Sequence, residues 1–205
     1  MSYQQQGNSC GAWCATHRVG ISRPEIMASD QRFVQAASYV YGMVQFSIHD
    51  GDDTWAIAIQ RRFAQWCMNR YSDPWRIISY LEKQGLAPTL NIEPAAATAV
   101  GDLAAMRLIV ENLKTKGART LRKYSMTSIG AGAYAIGVFQ DGMGLHYVLF
   151  HKRHGGGRVY DPRSQQLNWN RITALPAFGT PVTTTIMNPG LQPQNYRFLG
   201  VFITC

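Results

Sequence analysis

The sequence predicts an α+β fold in which helices come first and a β-sheet follows. Two observations carry this prediction. Residues 1–117 place apolar side chains at helical spacing between polar caps, glycines and prolines. From residue 133 onward, short runs of β-branched and aromatic residues are bounded by Gly, Pro or Asn. Helices followed by strands favour a helical layer packed on an antiparallel sheet.

The helical half begins at Cys10, where a segment of small residues runs to Gly20. Ser22 and Glu25 have the spacing of a capping box for the second helix. Asp73 and Pro74 open the fourth helix, and a glycine ends it. The predicted helices span about 10–19, 22–41, 52–66, 73–84 and 102–116.

The second half contains the strand signatures, at 133–139, 146–152, 157–161, 181–187 and 196–203. Prolines bracket residues 88–99, which we interpret as a linking loop. We therefore expect a single catalytic domain over 1–205, with a helical lobe at about 1–117 and a β lobe at about 120–205.

The chain is basic, with a net charge of +8, which attracts acidic partners in general. The charges are scattered as singles and pairs, and there is no run of five basic residues. Charge patterning therefore favours an ordinary basic surface. An acidic partner is compatible with it, and nucleic acid is not expected as a partner.

The four cysteines are irregularly spaced in a chain too long for a disulfide-framed mini-domain, which indicates a reducing compartment. No apolar stretch approaches the roughly 18 residues of a membrane helix. The first nine residues do not read as a signal peptide. We expect a protein that is cytoplasmic in the producing cell, with secretion or delivery into a target cell by a specialised system as the alternative.

The most informative segment is the N-terminal one, where Cys10 stands at the start of a predicted helix. Unpaired N–H groups and the positive end of the helix dipole favour a thiolate there, which is the reactive form of cysteine. The backbone N–H of Cys10 and a side-chain amide can hold an oxyanion. Gln4, six residues upstream, supplies that amide, with Gln5 and Gln6 as competitors.

The second half offers the base. His146 begins a predicted strand, and Asp161 ends the next one after a glycine-rich turn. If Asp161 stands opposite Val148, His146 and Asp161 share one face as diagonal neighbours, within side-chain reach. A slip of one residue would place them on opposite faces, so the predicted triad requires this register.

These residues form the motifs Q-x5-C-G-A-x-C, G-x-H-Y-V-L and V-Y-D-P, which together resemble the papain-like cysteine protease superfamily. The resemblance is to C39-like peptidases and to secreted papain-like effector proteases of pathogenic bacteria. It implies a papain-like fold with the nucleophile at a helix start. It also implies Cys10 as nucleophile, His146 as base, Asp161 as the group that orients the histidine, and Gln4 in the oxyanion hole.

Alternatives remain for several of these residues. Cys14 is a competing nucleophile, although a small buried side chain is the favoured interpretation. Cys10, Cys14 and His17 are a weak metal-ligand pattern because no second ligand pair follows. His17, His151 and His154 are expected on the surface, and Trp169 near the cleft. No cofactor or metal is expected.

The predicted function is a cysteine peptidase that cleaves a protein or peptide substrate through an acyl-enzyme, as a bacterial effector or toxin. A deamidase, amidase or acyl transferase would use the same triad. A non-catalytic binding module on the same scaffold is the third hypothesis.

Overall fold

Helices precede a β-sheet along the chain, as predicted, so the α+β class is confirmed. The computed structural model describes residues 8–47, 57–98, 106, 110–111, 121–141, 144–163, 169–179, 181–183 and 195–205. The α-helices of these residues are α1 (Cys10–Ser22), α2 (Asp30–Val44), α3 (Ile57–Met68) and α4 (Pro74–Lys83). Most of the predicted helix at 102–116 lies outside the described residues.

The described strands form one eight-stranded sheet in the order β2-β1-β8-β3-β4-β5-β6, with β7 paired to β8 off this path. All described pairings are antiparallel except β1 with β2, so the sheet is mixed. The strands are β1 (Thr89–Ile92), β2 (Leu121–Lys123), β3 (Tyr134–Asp141), β4 (Gly144–Arg153), β5 (Gly156–Tyr160), β6 (Asn170–Ile172), β7 (Pro181–Thr183) and β8 (Asn195–Thr204).

Alternation along the strands divides the core into two layers. In β4, Leu145, Tyr147 and Leu149 belong to the cluster shared with the helices. Val148 and Phe150 belong to a second cluster on the opposite face of the sheet. The helical layer therefore covers one face, and this alternation decides which β4 side chains meet α1.

The helix α1 is the central element of the helical layer. Every residue from 10 to 20 is buried, because α2, α4 and β4 surround this helix. Small side chains such as Ala12 and Ala15 let these neighbours approach closely. The N-terminal end of α1, with Cys10, is thereby held against the start of β4.

Two predicted helix signals have different outcomes. Asp73 caps α4 as predicted, since its carboxylate accepts the N–H of Trp75 at 2.8 Å. The prediction that Ser22 begins a capping box for the second helix is wrong. Ser22 ends α1 and its hydroxyl accepts a hydrogen bond from Arg18, whereas Ser29 caps α2.

The linking loop predicted at 88–99 is also wrong, because residues 89–92 form β1 inside the sheet. This strand pairs antiparallel with β8 and parallel with β2. Pro88 and Pro94 lie outside its ends, where a missing N–H interrupts no ladder hydrogen bond. The proposed division into a helical and a β lobe stays a prediction.

Gly11, next to Cys10, gives a test of how tightly α1 is seated. A Cβ at this position would lie 2.5 Å from the Cβ of Ser72, which cannot rotate away. We expect Gly11→Ala to lower the free energy of unfolding by about 1–3 kcal/mol, through overpacking. Urea denaturation of the purified variant measures this loss.

The matched control is Gly42→Ala in α2, because a Cβ there would meet nothing within 4 Å. Alanine is the better helix former, so this variant should gain about 0.5–1 kcal/mol. Equal effects of the two substitutions would contradict the tight seating of α1 on Ser72.

Candidate functional site

Cys10 occupies the first position of α1. Ser9 precedes it, and the carbonyl of Ser9 accepts the N–H of Trp13 at 3.1 Å, which closes the first helical turn. The N–H groups of that turn lack partners within the helix. The Sγ atom of Cys10 lies 3.8 Å from the carbonyl oxygen of Leu145. The thiol is therefore positioned between the helix N-terminus and the first residues of β4.

His146 and Asp161 meet because of the register of the β4–β5 hairpin. Leu149 is paired with Tyr160 at the end of the β4–β5 ladder. Continued by one residue, this register gives the predicted position of Asp161 opposite Val148. The Nε2 atom of His146 lies 2.8 Å from Oδ1 of Asp161. Both side chains are buried, with 1% and 0% exposure respectively, so water does not weaken their interaction.

Electrostatics favour an imidazolium–carboxylate pair. Burial alone would lower the pKa of His146, but the charge and hydrogen bond of Asp161, together with contact to Cys10, raise it to about 9. Burial would raise the pKa of Asp161, yet the charge and hydrogen bond of His146 hold it below its usual value. The backbone N–H and the charge of Arg163 lower it further. The two directions agree, and both indicate that the pair is charged near neutral pH.

Two further residues complete the surroundings of this pair, and neither was singled out from the sequence. Tyr196 of β8 stacks on the His146 ring with centroids 4.7 Å apart. Arg163 donates to the Tyr196 hydroxyl at 2.7 Å, and its backbone N–H donates to Oδ1 of Asp161 at 2.9 Å. The second contact is an Asx turn, which the D-P-R sequence could have suggested. Nothing local connects Tyr196 to the site.

The other cysteines have different environments. Cys14 is fully buried one helical turn after Cys10, and burial raises the pKa of its thiol well above the usual value. Cys205 has its pKa raised to about 11, again by burial. Cys67 packs against the hydrophobic core while partly exposed. Among the four, Cys10 contacts the histidine.

The expected surface position of His17 is wrong. Its side chain is buried between α1 and the sheet, with its ring centroid 4.0 Å from that of Tyr160. Burial lowers the pKa of His17 to about 4. Trp169 makes its described ring contacts with His17, Tyr134, His151 and Tyr160.

The remaining site predictions concern the oxyanion hole, metals and membranes. Gln4 lies outside the described residues, so its role stays a prediction. Within the described ranges, no group of three His, Cys, Asp or Glu side chains is arranged to hold a metal ion. Among those same residues, no helix has the length and apolar character needed to span a membrane.

The two opposite histidine shifts can be measured in one experiment. We expect imidazole resonances in an NMR pH titration to give a pKa of about 9 for His146 and about 4 for His17. Asp161→Asn should lower the first value and leave the second unchanged. A His146 pKa at or below 6.5 in the unmodified protein would contradict the buried ion pair.

Comparisons with known proteins add one distant similarity. No protein-family model matches the sequence, and no curated protein matches it. Among solved structures, the chain is similar to the crystal structure of Pseudomonas avirulence protein AvrPphB. The sequence identity is 11%, the alignment covers 80% of this chain and 73% of that chain, and the TM-score is 0.31.

Proposed function

We propose that this protein is a papain-like cysteine peptidase in which Cys10, His146 and Asp161 form the catalytic triad. The observation that supports the proposal is the 2.8 Å contact of His146 with Asp161, beside a Cys10 thiol close enough to the imidazole to help raise its pKa. These three side chains come from the start of α1, from β4 and from the residue that follows β5. A thiol nucleophile, a base and an orienting group are the components that acyl transfer through cysteine requires.

The orientation of His146 defines its role in the proposed reaction. Because Nε2 is paired with Asp161, Nδ1 is the nitrogen left to exchange a proton with the thiol. Asp161 fixes the tautomer and stabilises the imidazolium. Tyr196 covers the ring and limits its rotation, so the proton is held on the side that faces Cys10.

The chemistry proceeds in two halves. The Cys10 thiolate attacks the substrate carbonyl, and the C–N bond breaks as His146 gives its proton to the leaving amine. The result is a thioester on Cys10 and a neutral imidazole. His146 then takes a proton from water, the hydroxide attacks the thioester, and release of the acid restores the thiolate–imidazolium pair.

The oxyanion formed in each half needs hydrogen-bond donors. The N–H of Cys10 lies in the first turn of α1, where the helix itself provides no acceptor. We assign the second donor to the side-chain amide of Gln4, as the sequence motif implies. Each such donor is typically associated with about 10²–10³-fold in rate.

A digestion experiment tests this function. The wild-type protein, Cys10→Ala and Cys67→Ala would each be incubated with a denatured protein and with a peptide library. New amino termini would be identified by mass spectrometry, and ammonia would be measured in parallel. We expect new termini with the wild type and with Cys67→Ala, and none with Cys10→Ala.

The same experiment separates the alternatives that share the acyl-enzyme. Ammonia without new termini would overturn the peptidase in favour of a deamidase or amidase. Transfer of an acyl group to an added amine, without hydrolysis, would identify a transferase. Products that persist in Cys10→Ala would overturn the whole assignment.

A further inference from the structure

A second concentration of charge lies on the sheet, away from the triad. His151 of β4 is paired with Arg158 of β5, and Arg158 is paired with Arg171 of β6. These three residues form a basic row across neighbouring strands, on the face that carries Tyr160 and the helices. Both arginines are exposed.

Like charges at directly opposed positions destabilise a sheet. Nothing acidic offsets them in the local sequence, since residues 144–172 contain five Lys or Arg and one acidic residue, Asp161. Asp161 is buried and paired with His146. No described ion pair involves any member of the basic row. Within the described part of the chain, Arg158 and Arg171 are therefore exposed like charges without a counterion.

One member of the basic row, His151, also lines a shallow depression. This open depression of about 520 Å³ lies at the turn end of β4. It is lined by Ala131, Gly132, His151, Lys152, Arg153 and His154. A depression of this size has room for a small-molecule ligand.

An aromatic stack holds His151 at the junction of the depression and the row. The His151 ring lies on Tyr134 with centroids 4.2 Å apart and an interplanar angle of 15°. The guanidinium of Arg18 lies over the Tyr134 ring at 4.7 Å. Burial lowers the pKa of His151, and the charges of Arg153, Arg158 and Arg18 lower it further. The pKa of His151 is therefore sensitive to the positive charges around it.

We propose that the depression and the basic row bind a phosphate-bearing small molecule. Guanidinium groups match phosphate oxygens with two parallel hydrogen bonds, and several convergent cations suit a multiply charged anion. A bound polyphosphate would neutralise the opposed Arg158 and Arg171. By linkage, it would also raise the pKa of His151. The site is independent of the proposed catalytic triad.

The test uses the full chain with inorganic tripolyphosphate as the probe, at constant ionic strength. Binding is followed by calorimetry and by the NMR titration of His151. The test variant is Arg158→Gln/Arg171→Gln. Its matched control is Arg122→Gln/Lys123→Gln on β2, at the opposite edge of the sheet, which removes the same charge.

We expect tripolyphosphate to raise the pKa of His151 and the test variant to weaken binding about tenfold or more. The control variant should bind nearly as well as the wild type. If both variants bind tripolyphosphate equally weakly, binding depends on net charge alone and the proposed site is wrong. The proposal would also be overturned if tripolyphosphate did not bind. It would be overturned as well if the protein bound only vesicles of phosphatidylserine and phosphatidylcholine, or only duplex DNA.

Discussion

Cys10→Ala should reduce turnover of a cleaved peptide by at least about 10⁴-fold, because the acyl-enzyme cannot form without the nucleophile. The substitution removes one sulfur atom from a position that is 1% exposed, so the fold should be retained. Initial rates on a peptide found in the digestion experiment measure the loss. Circular dichroism and urea denaturation establish that the variant is folded.

The matched control for this prediction is Cys14→Ala, one turn further along the same helix. It removes an equally buried sulfur that contacts no histidine in the described structure. We expect Cys14→Ala to retain most of the activity. If Cys14→Ala loses activity and Cys10→Ala retains it, Cys14 is the nucleophile and the assignment of Cys10 is wrong.

Asp161→Asn should lower the rate by about 10²–10⁴-fold. The asparagine has nearly the same shape and still accepts the Arg163 N–H, but its neutral amide no longer stabilises the imidazolium. Burial then dominates and lowers the pKa of His146 from about 9. The thiolate–imidazolium pair is lost at neutral pH. Rate–pH profiles of the two proteins measure both changes.

The same substitution has a stability signature. A histidine whose pKa is raised on folding contributes stability that is present below about pH 6.5 and is lost as pH rises through about 9. The free energy of unfolding of the wild type should therefore exceed that of Asp161→Asn most at about pH 6, by up to about 3 kcal/mol. The difference should narrow by pH 10. A difference independent of pH would contradict the charged pair.

The parts of the site that could be predicted are those determined by short-range pairing. His146 and Asp161 lie on one hairpin, 15 residues apart. A glycine-rich turn joins them, and Gly155 adopts a φ of +71° that other residues rarely take. Alternating hydrophobicity then fixes the register, because a slip would expose the core face. The placement of Cys10 at the start of a helix was likewise predicted from the local sequence, and α1 begins at this residue.

What could not be predicted depends on long-range packing. Tyr196 reaches His146 only because β8 pairs with β3, which in turn pairs with β4. His17 is buried because the sheet covers α1 on the side where Tyr160 and Trp169 meet its ring. Neither contact leaves a signal in local composition. The strand β1 was missed for the same reason, since its four residues are stabilised by partners distant in sequence.

The central claim is that His146 activates the Cys10 thiol. Iodoacetamide labelling of each cysteine between about pH 4 and 9, read by mass spectrometry in wild type and in His146→Ala, tests it most directly. The account predicts that Cys10 alone labels rapidly below pH 7 and that this rate is lost in His146→Ala. Cys14 and Cys205 should label slowly, because burial raises the pKa of both thiols. Labelling of Cys10 no faster than that of an unfolded thiol, or faster labelling of Cys14, would contradict the claim.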